Sequence, residues 1–215
     1  MFTQDEISRI ITFLESNGYT VSGYKSREYS LVIKLREIPF SISIYKNSRG
    51  DQKLVLPENI SSQPREEIYR LWRQFKGIIL PGYHVFVDGS YRDNRVAYGV
   101  VCLNGGEIIE TFSGSFELEA GPRNIAGEIE GVLKALEWSR DKGIKEIWLH
   151  YDYEGLEKWG CGIWKAKVPY TQRYVKRVSE FAREIKIHWV KEKAHSGSLY
   201  NEIADKLARK ALDKK

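Results

Sequence analysis

Apolar residues recur with two different periods along this chain, and the change between them divides it. Residues 3–16 have a helical period. Ile7, Ile10, Ile11 and Leu14 share one face, Thr3 and Glu6 stand three apart as a capping box, and Asn17-Gly18 closes the segment. Three strand-like runs follow. Ser30–Leu35 places Leu31, Ile33 and Leu35 at alternate positions, Ile38–Tyr45 does the same with Phe40, Ile42 and Ile44, and Lys53–Leu56 returns after a turn at Asn47–Asp51. Glu66–Phe75 is again amphipathic and helical, carrying Leu71, Trp72 and Phe75, and Gly77 and Pro81-Gly82 punctuate the chain after it. Residues 1–77 therefore read as a small α+β domain with an antiparallel sheet.

From residue 82 onward the rhythm changes. Tyr83–Asp88 is a short strand, and Val96–Leu103 and Glu107–Phe116 form a hairpin around Asn104-Gly105-Gly106. A helix is expected over about 124–140, a strand at Glu146–Asp152, helices at Glu154–Trp159 and Thr171–Arg183, a strand at Ile185–Val190 and a closing helix at Tyr200–Leu212. Three antiparallel strands followed by alternating helices and strands predict an α/β domain over 82–215, built on a mixed five-stranded sheet flanked by helices.

Composition adds bounds. The chain has 215 residues, 42% of them hydrophobic and 13% aromatic, enough for a real core. A formal net charge of +5 favours a polyanionic partner, although a basic protein without one has the same balance. The two cysteines, Cys102 and Cys161, have no metal-ligand spacing and form no disulfide framework. No apolar run reaches the length of a membrane span and no signal pattern opens the chain, so no membrane association and a cytoplasmic location are expected.

Four carboxylates interrupt the apolar pattern. Asp88 ends Val85-Phe86-Val87-Asp88, and Asp152 ends the near-continuous apolar run Ile147–Tyr151, which reads as a central strand. Both fall at the carboxyl edge of the sheet, where open α/β folds gather ligands. Glu128 lies in the first turn of the 124–140 helix, one turn before Val132. Asp205 lies on the closing helix, one turn after Asn201. Each has an ordinary reading alone: a strand-end cap, a helix-dipole partner, a strand terminator, and a surface charge pairing with Arg209. Together they form an oxygen-only constellation that repels itself unless a cation neutralises it. Such a set suits Mg²⁺, with Mn²⁺ as substitute, and two ions so held support in-line phosphoryl displacement without a covalent nucleophile.

These residues carry a family likeness. Phe86–Ser90, Asn124–Glu128, Asp152, Trp189–Lys191 leading to Ala194–Gly197, and Asn201–Ala208 resemble the motifs of type 1 ribonucleases H over about 83–212. The resemblance implies a ribonuclease H-like sheet and endonucleolytic, two-metal cleavage of the RNA strand of RNA–DNA hybrids. It implies Asp88, Glu128, Asp152 and Asp205 as metal ligands, and His195 as a loop histidine acting near the metals. A histidine in that Gly- and Ser-containing loop can shuttle protons or ease product release. His84, His150 and His188 read instead as strand residues with structural partners. By the resemblance, backbone groups around Gly89-Ser90 and the side chains of Asn124 and Glu128 would read the 2′-hydroxyl that separates RNA from DNA. Ile125 stands where relatives often carry a second amide, and Tyr153 where a serine is more usual, so part of that contact differs here. The segment after Asp152 is short for a member with an added basic helix. Trp164, Lys165 and Lys167 are the candidates to meet the DNA strand in its place, and Thr171, Arg173, Lys176 and Arg177 either extend that surface or form a solvated helix face.

The N-terminal half, by its order of helix, antiparallel strands and helix, resembles the N-terminal domain of type 3 ribonucleases H. Lys25, Arg27, Lys34, Arg36, Lys46, Arg49 and Lys53 decorate its strands and turns, which fits hybrid binding; a protein-interaction or dimerisation sheet fits as well. For the whole chain the rivals are a DNA-processing nuclease of the same fold, against which Asn124 and the His195 loop stand, and a non-catalytic hybrid binder, against which four intact carboxylates stand.

Overall fold

The structure is a computed structural model that describes residues 1–57, 59–78, 80–118, 123–192 and 199–213. It divides into two compact units, Met1–Ile79 and Leu80–Lys215.

The first unit opens with α1 (Gln4–Ser16), and its capping box is formed: the Glu6 amide donates to Thr3 Oγ1 and the Thr3 amide to Glu6 Oε2. Four strands follow as an antiparallel meander: β1 (Val21–Ser26), β2 (Ser30–Leu35), β3 (Ser41–Lys46) and β4 (Gln52–Val55), and α2 (Ser62–Phe75) ends the unit. Strand β1 escaped the sequence pattern. Val21-Ser22-Gly23-Tyr24-Lys25-Ser26 has no apolar alternation because it is a sheet edge, exposed along most of its length. Leu31, Ile33, Ile42, Ile44 and Leu54 are buried on one face of the sheet, and both helices lie over it, with Phe13 of α1 against Phe75 of α2 at 5.3 Å between ring centroids. Cross-strand pairing places Lys25, Lys34 and Lys53 on the other face with Ser43, Tyr45 and Val55. Among the described residues that face carries no carboxylate. Lys46 leaves the basic group predicted from sequence, because it turns to Glu6 on the helix side at 2.7 Å.

The second unit carries β5 (Tyr83–Arg92), β6 (Arg95–Asn104), β7 (Glu107–Glu117), α3 (Arg123–Asp141), β8 (Glu146–Tyr151), α4 (Gly155–Gly160), α5 (Pro169–Phe181), β9 (Lys186–Lys191) and α6 (Leu199–Asp213). The sheet order is β7-β6-β5-β8-β9, antiparallel among β5, β6 and β7 and parallel from β5 through β8 to β9. This is the mixed five-stranded α/β sheet expected from sequence. The β6–β7 turn works because Gly105 and Gly106 both hold positive φ, which side chains disfavour.

Strand alternation assigns the two faces. Val85 and Val87 enter a core with Ile129, Val132 and Leu136 of α3, Leu149 and Tyr151 of β8, and Tyr174 and Val178 of α5. The intervening residues His84, Phe86 and Asp88 point the other way, and Phe86 meets Tyr200 of α6 at 5.0 Å between rings. Cys102 is buried and Cys161 exposed, both as free thiols. No helix among the described residues is long and apolar enough to cross a membrane.

Candidate active site

Asp88 is not a strand terminus, as the sequence had indicated, because β5 continues to Arg92 in its pairing with β6. What stops near Asp88 is the parallel pairing with β8, whose last rung is Phe86 with His150. The carboxylate thus stands where two neighbouring strands part, and Asp152 follows directly after the end of β8. Both aspartates lie at the carboxyl edge of the parallel pair, on the face covered by α6.

Glu128 reaches this edge from the opposite layer because of a backbone contact. A Cβ on Gly127 would lie 2.3 Å from Ala97 O and 2.8 Å from Gly89 Cα, and one on Gly89 would lie 2.6 Å from the Glu128 amide nitrogen. Only two glycines allow the first turn of α3 to touch β5 so closely. On the other side Gly99 plays the same part for α6, where a Cβ would lie 2.0 Å from Ala204 O; the buried Ala204 and Ala208 let the helix bearing Asp205 settle onto β6. Gly127 and Gly99 were missed as site-building residues, and Gly89 was singled out only as a substrate contact. Their sequence signal was a glycine inside a predicted helix turn and one inside a strand, both otherwise unfavourable places. Gly127→Ala is expected to destabilise the fold by about 1–3 kcal/mol, since both neighbours are backbone and neither can swing aside, and to lower activity by moving Glu128. Denaturant unfolding and a cleavage assay check both effects; unchanged values on both would remove the close approach as a determinant of the site.

The electrostatics follow from crowding. Glu128 is 7% exposed and its pKa is pushed up to about 9 by burial first, then by the Asp152 charge, a side-chain hydrogen bond with Asp152, and Asp88. The Tyr153 amide donates to Glu128 Oε2 at 3.3 Å. Asp88 is pushed up to about 7, chiefly by burial and then by Asp152, with Asp205 adding to it; the Gly89 amide, donating to Asp88 Oδ1 at 2.7 Å, pulls the other way. Asp205 accepts from Arg209 Nε at 2.8 Å, the pairing foreseen as its ordinary role, yet it lies near enough to act on Asp88. Asn201 Nδ2 donates to Asp88 Oδ2 at 3.4 Å, while its buried Oδ1 has no hydrogen-bond partner.

Among the described residues no three Asp, Glu, His or Cys side chains are close enough to clasp one ion. The electrostatic coupling of Asp88 with Asp152 and Asp205, and of Glu128 with Asp152, nevertheless joins the four into one acidic group. The donor set fits a hard divalent cation, being oxygen-only, and the unpartnered Asn201 Oδ1 beside Asp88 is one more oxygen suited to an ion or its water.

Gly89 and Ser90 lie on β5 beside Asp88. His195 and the Asn124 side chain lie outside the described residues. Trp164 is 42% exposed and set edge-on to the half-buried Trp159, and Lys165 and Lys167 are exposed beside it. Two candidates for an extended surface drop out: Thr171 is buried and donates to Val168 O, and Arg177 is held by Glu137 at 2.9 Å. Arg173 and Lys176 stay exposed. His84, His150 and His188 all have partners, at Pro81 O and His150, at Glu192, and at Glu146.

Comparison with known proteins meets the same region. A family model described as RNase H matches residues 81–213. A ribonuclease H of Neorickettsia sennetsu is 31% identical over 142 residues, covering 60% of this chain and 91% of the relative. The structure of ribonuclease H1 from the archaeon Halobacterium salinarum NRC-1 superposes with a TM-score of 0.52 at 29% identity, over 62% of this chain and 98% of that one. LC11 ribonuclease H1, crystallised in complex with an RNA/DNA hybrid, shares the fold at 19% identity and a TM-score of 0.50, over 60% of this chain and 99% of that one. The carboxylate edge thus falls inside a match that runs through the whole second unit, and the chain belongs to the ribonuclease H family, as an enzyme of type 1.

Proposed function

We propose that the chain cleaves the RNA strand of RNA–DNA hybrids endonucleolytically, and that Asp88, Glu128, Asp152 and Asp205 hold two Mg²⁺ ions, replaceable by Mn²⁺, for that reaction. The observation that carries this is the electrostatic coupling of four carboxylates from β5, α3, the end of β8 and α6, in which burial and mutual repulsion raise Asp88 and Glu128. Bound divalent cations would supply the charge that activates water and stabilises the leaving oxygen of an in-line displacement at phosphorus. The chain's own part is to fix the ligands. Asp88 is oriented by the Gly89 amide and Asn201, and Glu128 by the Tyr153 amide.

Gly89, Ser90 and Asn124 are assigned to the RNA strand's 2′-hydroxyls. Trp164, Lys165 and Lys167, exposed after α4, are assigned to phosphates and sugars of the DNA strand. Cleavage assays on an RNA–DNA hybrid, a DNA duplex and an RNA duplex, with and without Mg²⁺, test the whole reading; cutting of the DNA duplex, or metal-independent cutting of the hybrid, would overturn it. His195 is assigned to proton transfer or product release, not to metal binding. His195→Ala should therefore slow turnover by about 10²-fold, the usual scale for losing a general acid or base, without abolishing it. A loss as deep as that of a ligand substitution in single-turnover kinetics would contradict this role.

Residues 1–79 are proposed to add affinity for the hybrid through the carboxylate-free sheet face bearing Lys25, Lys34 and Lys53, with Arg27, Arg36 and Arg49 exposed on its turns.

A further inference from the structure

Beneath the carboxylate edge lies a buried polar chain that the reaction does not use. His84 Nε2 contacts Pro81 O at 3.3 Å, His84 Nδ1 contacts His150 Nε2 at 2.8 Å, and His150 Nδ1 contacts Glu192 Oε1 at 2.7 Å. The two rings are 5% exposed. The His150 ring also lies nearly parallel to Phe86, with centroids 3.9 Å apart. Pro81, Glu192 and Phe86 thus fix the His84–His150 pair, and burying its polar atoms is tolerable only because each is bonded.

The chain's position gives it a task. His150 is the penultimate residue of β8, and Asp152 follows directly after the strand's last residue, Tyr151. The ladder between β8 and β9 ends at the pair Tyr151 and Lys191, so Asp152 is the first residue past it, where a strand is free to fray. Glu192 adds two bonds at that point. Its amide donates to Tyr151 O at 2.7 Å, and its carboxylate holds His150. Backbone and side chain of Glu192 together therefore tie the last rungs of β8 to the end of β9.

We propose that Glu192, acting through His150, is a positioning residue that holds the Asp152 end of β8 in the geometry the cations require. This rests on the carboxylate reading above. Glu192 touches neither substrate nor ion; its reach to His150 is what matters, more than its charge.

The test measures Mn²⁺ binding to the full-length, substrate-free protein by calorimetric titration, with thermal melting run beside it. Glu192→Ala removes the clamp. Glu192→Asp keeps the charge but shortens the reach, and Glu192→Gln keeps the reach and an acceptor oxygen without the charge. The Ala and Asp variants should bind Mn²⁺ about tenfold more weakly, the scale found when outer supports of metal ligands are lost, and the Gln variant should stay close to the wild type. If the Ala variant does not fold, the Asp and Gln pair carries the comparison. Wild-type binding by the Asp variant, or a Gln variant that binds as weakly as expected for Asp, would overturn the proposal. Asp152→Asn serves as the marker for the underlying site: if it weakens Mn²⁺ binding while the Glu192 variants do not, only the clamp fails; if it binds as the wild type does, the carboxylate reading fails and the clamp with it.

Discussion

Asp88→Asn should abolish cleavage of an RNA–DNA hybrid, by about three orders of magnitude or more, while leaving hybrid binding largely intact. Asparagine is isosteric with aspartate, so the fold has no steric reason to change. The amide removes one negative oxygen from the central member of the acidic group, the one coupled to both Asp152 and Asp205. Loss of charge there withdraws several kcal/mol of transition-state stabilisation, and about 4 kcal/mol corresponds to roughly a thousandfold in rate. Binding is spared because the contacts proposed for it, to 2′-hydroxyls, phosphates and sugars, do not involve the Asp88 carboxylate. Removing a buried carboxylate that repels its neighbours should also raise stability slightly in the absence of metal. Single-turnover cleavage in Mg²⁺ alongside a binding isotherm reads both quantities. More than a small residual metal-dependent activity would sink the assignment of Asp88.

Removing residues 1–77 should weaken hybrid affinity and flatten its salt dependence, yet spare the chemistry, since all four carboxylates lie at or after Asp88. Lys25, Lys34 and Lys53 share one open sheet face with no carboxylate among the described residues, so each can meet a phosphate without an internal competitor. Each phosphate contact contributes somewhat less than one to the slope of log affinity against log salt, so losing three lowers the slope by about 2 to 3. Between 50 and 200 mM salt the full-length protein should then lose about 40-fold more affinity than the truncated one. A triple substitution of these lysines by glutamine in the full chain should reproduce most of the effect. If the unit is instead a dimerisation module, the slope per nuclease domain stays put and the truncated protein runs as a smaller assembly. An unchanged slope with an unchanged mass would defeat both readings.

Much of the second unit was legible in the sequence because its elements obey simple periods. The runs at 147–151 and 96–103 are nearly continuous in apolar residues, as befits strands covered on both faces, and Asn104-Gly105-Gly106 encodes a turn that demands positive φ. The acidic group was legible for a related reason: a carboxylate inside an apolar pattern is costly enough to signal use. Strand β1 was not legible, because an exposed edge strand has no buried face to impose alternation. Local sequence also gave Lys46 to the basic surface, while the tertiary structure gave it to Glu6, forty residues away.

What the sequence determined by itself was therefore the elements, their apolar faces and the residue types available for chemistry, since these depend on near neighbours and on a side chain's preference for water or core. What only the tertiary structure decided was proximity. Glu128 meets Asp152 because Gly127 and Gly89 let two backbones touch, Asp205 comes near Asp88 because Gly99 and Ala204 let α6 settle on β6, and Glu192 finds His150 across a strand ladder. Each of these contacts joins segments tens of residues apart, and their distance is set by packing of whole layers, a quantity that no local pattern contains.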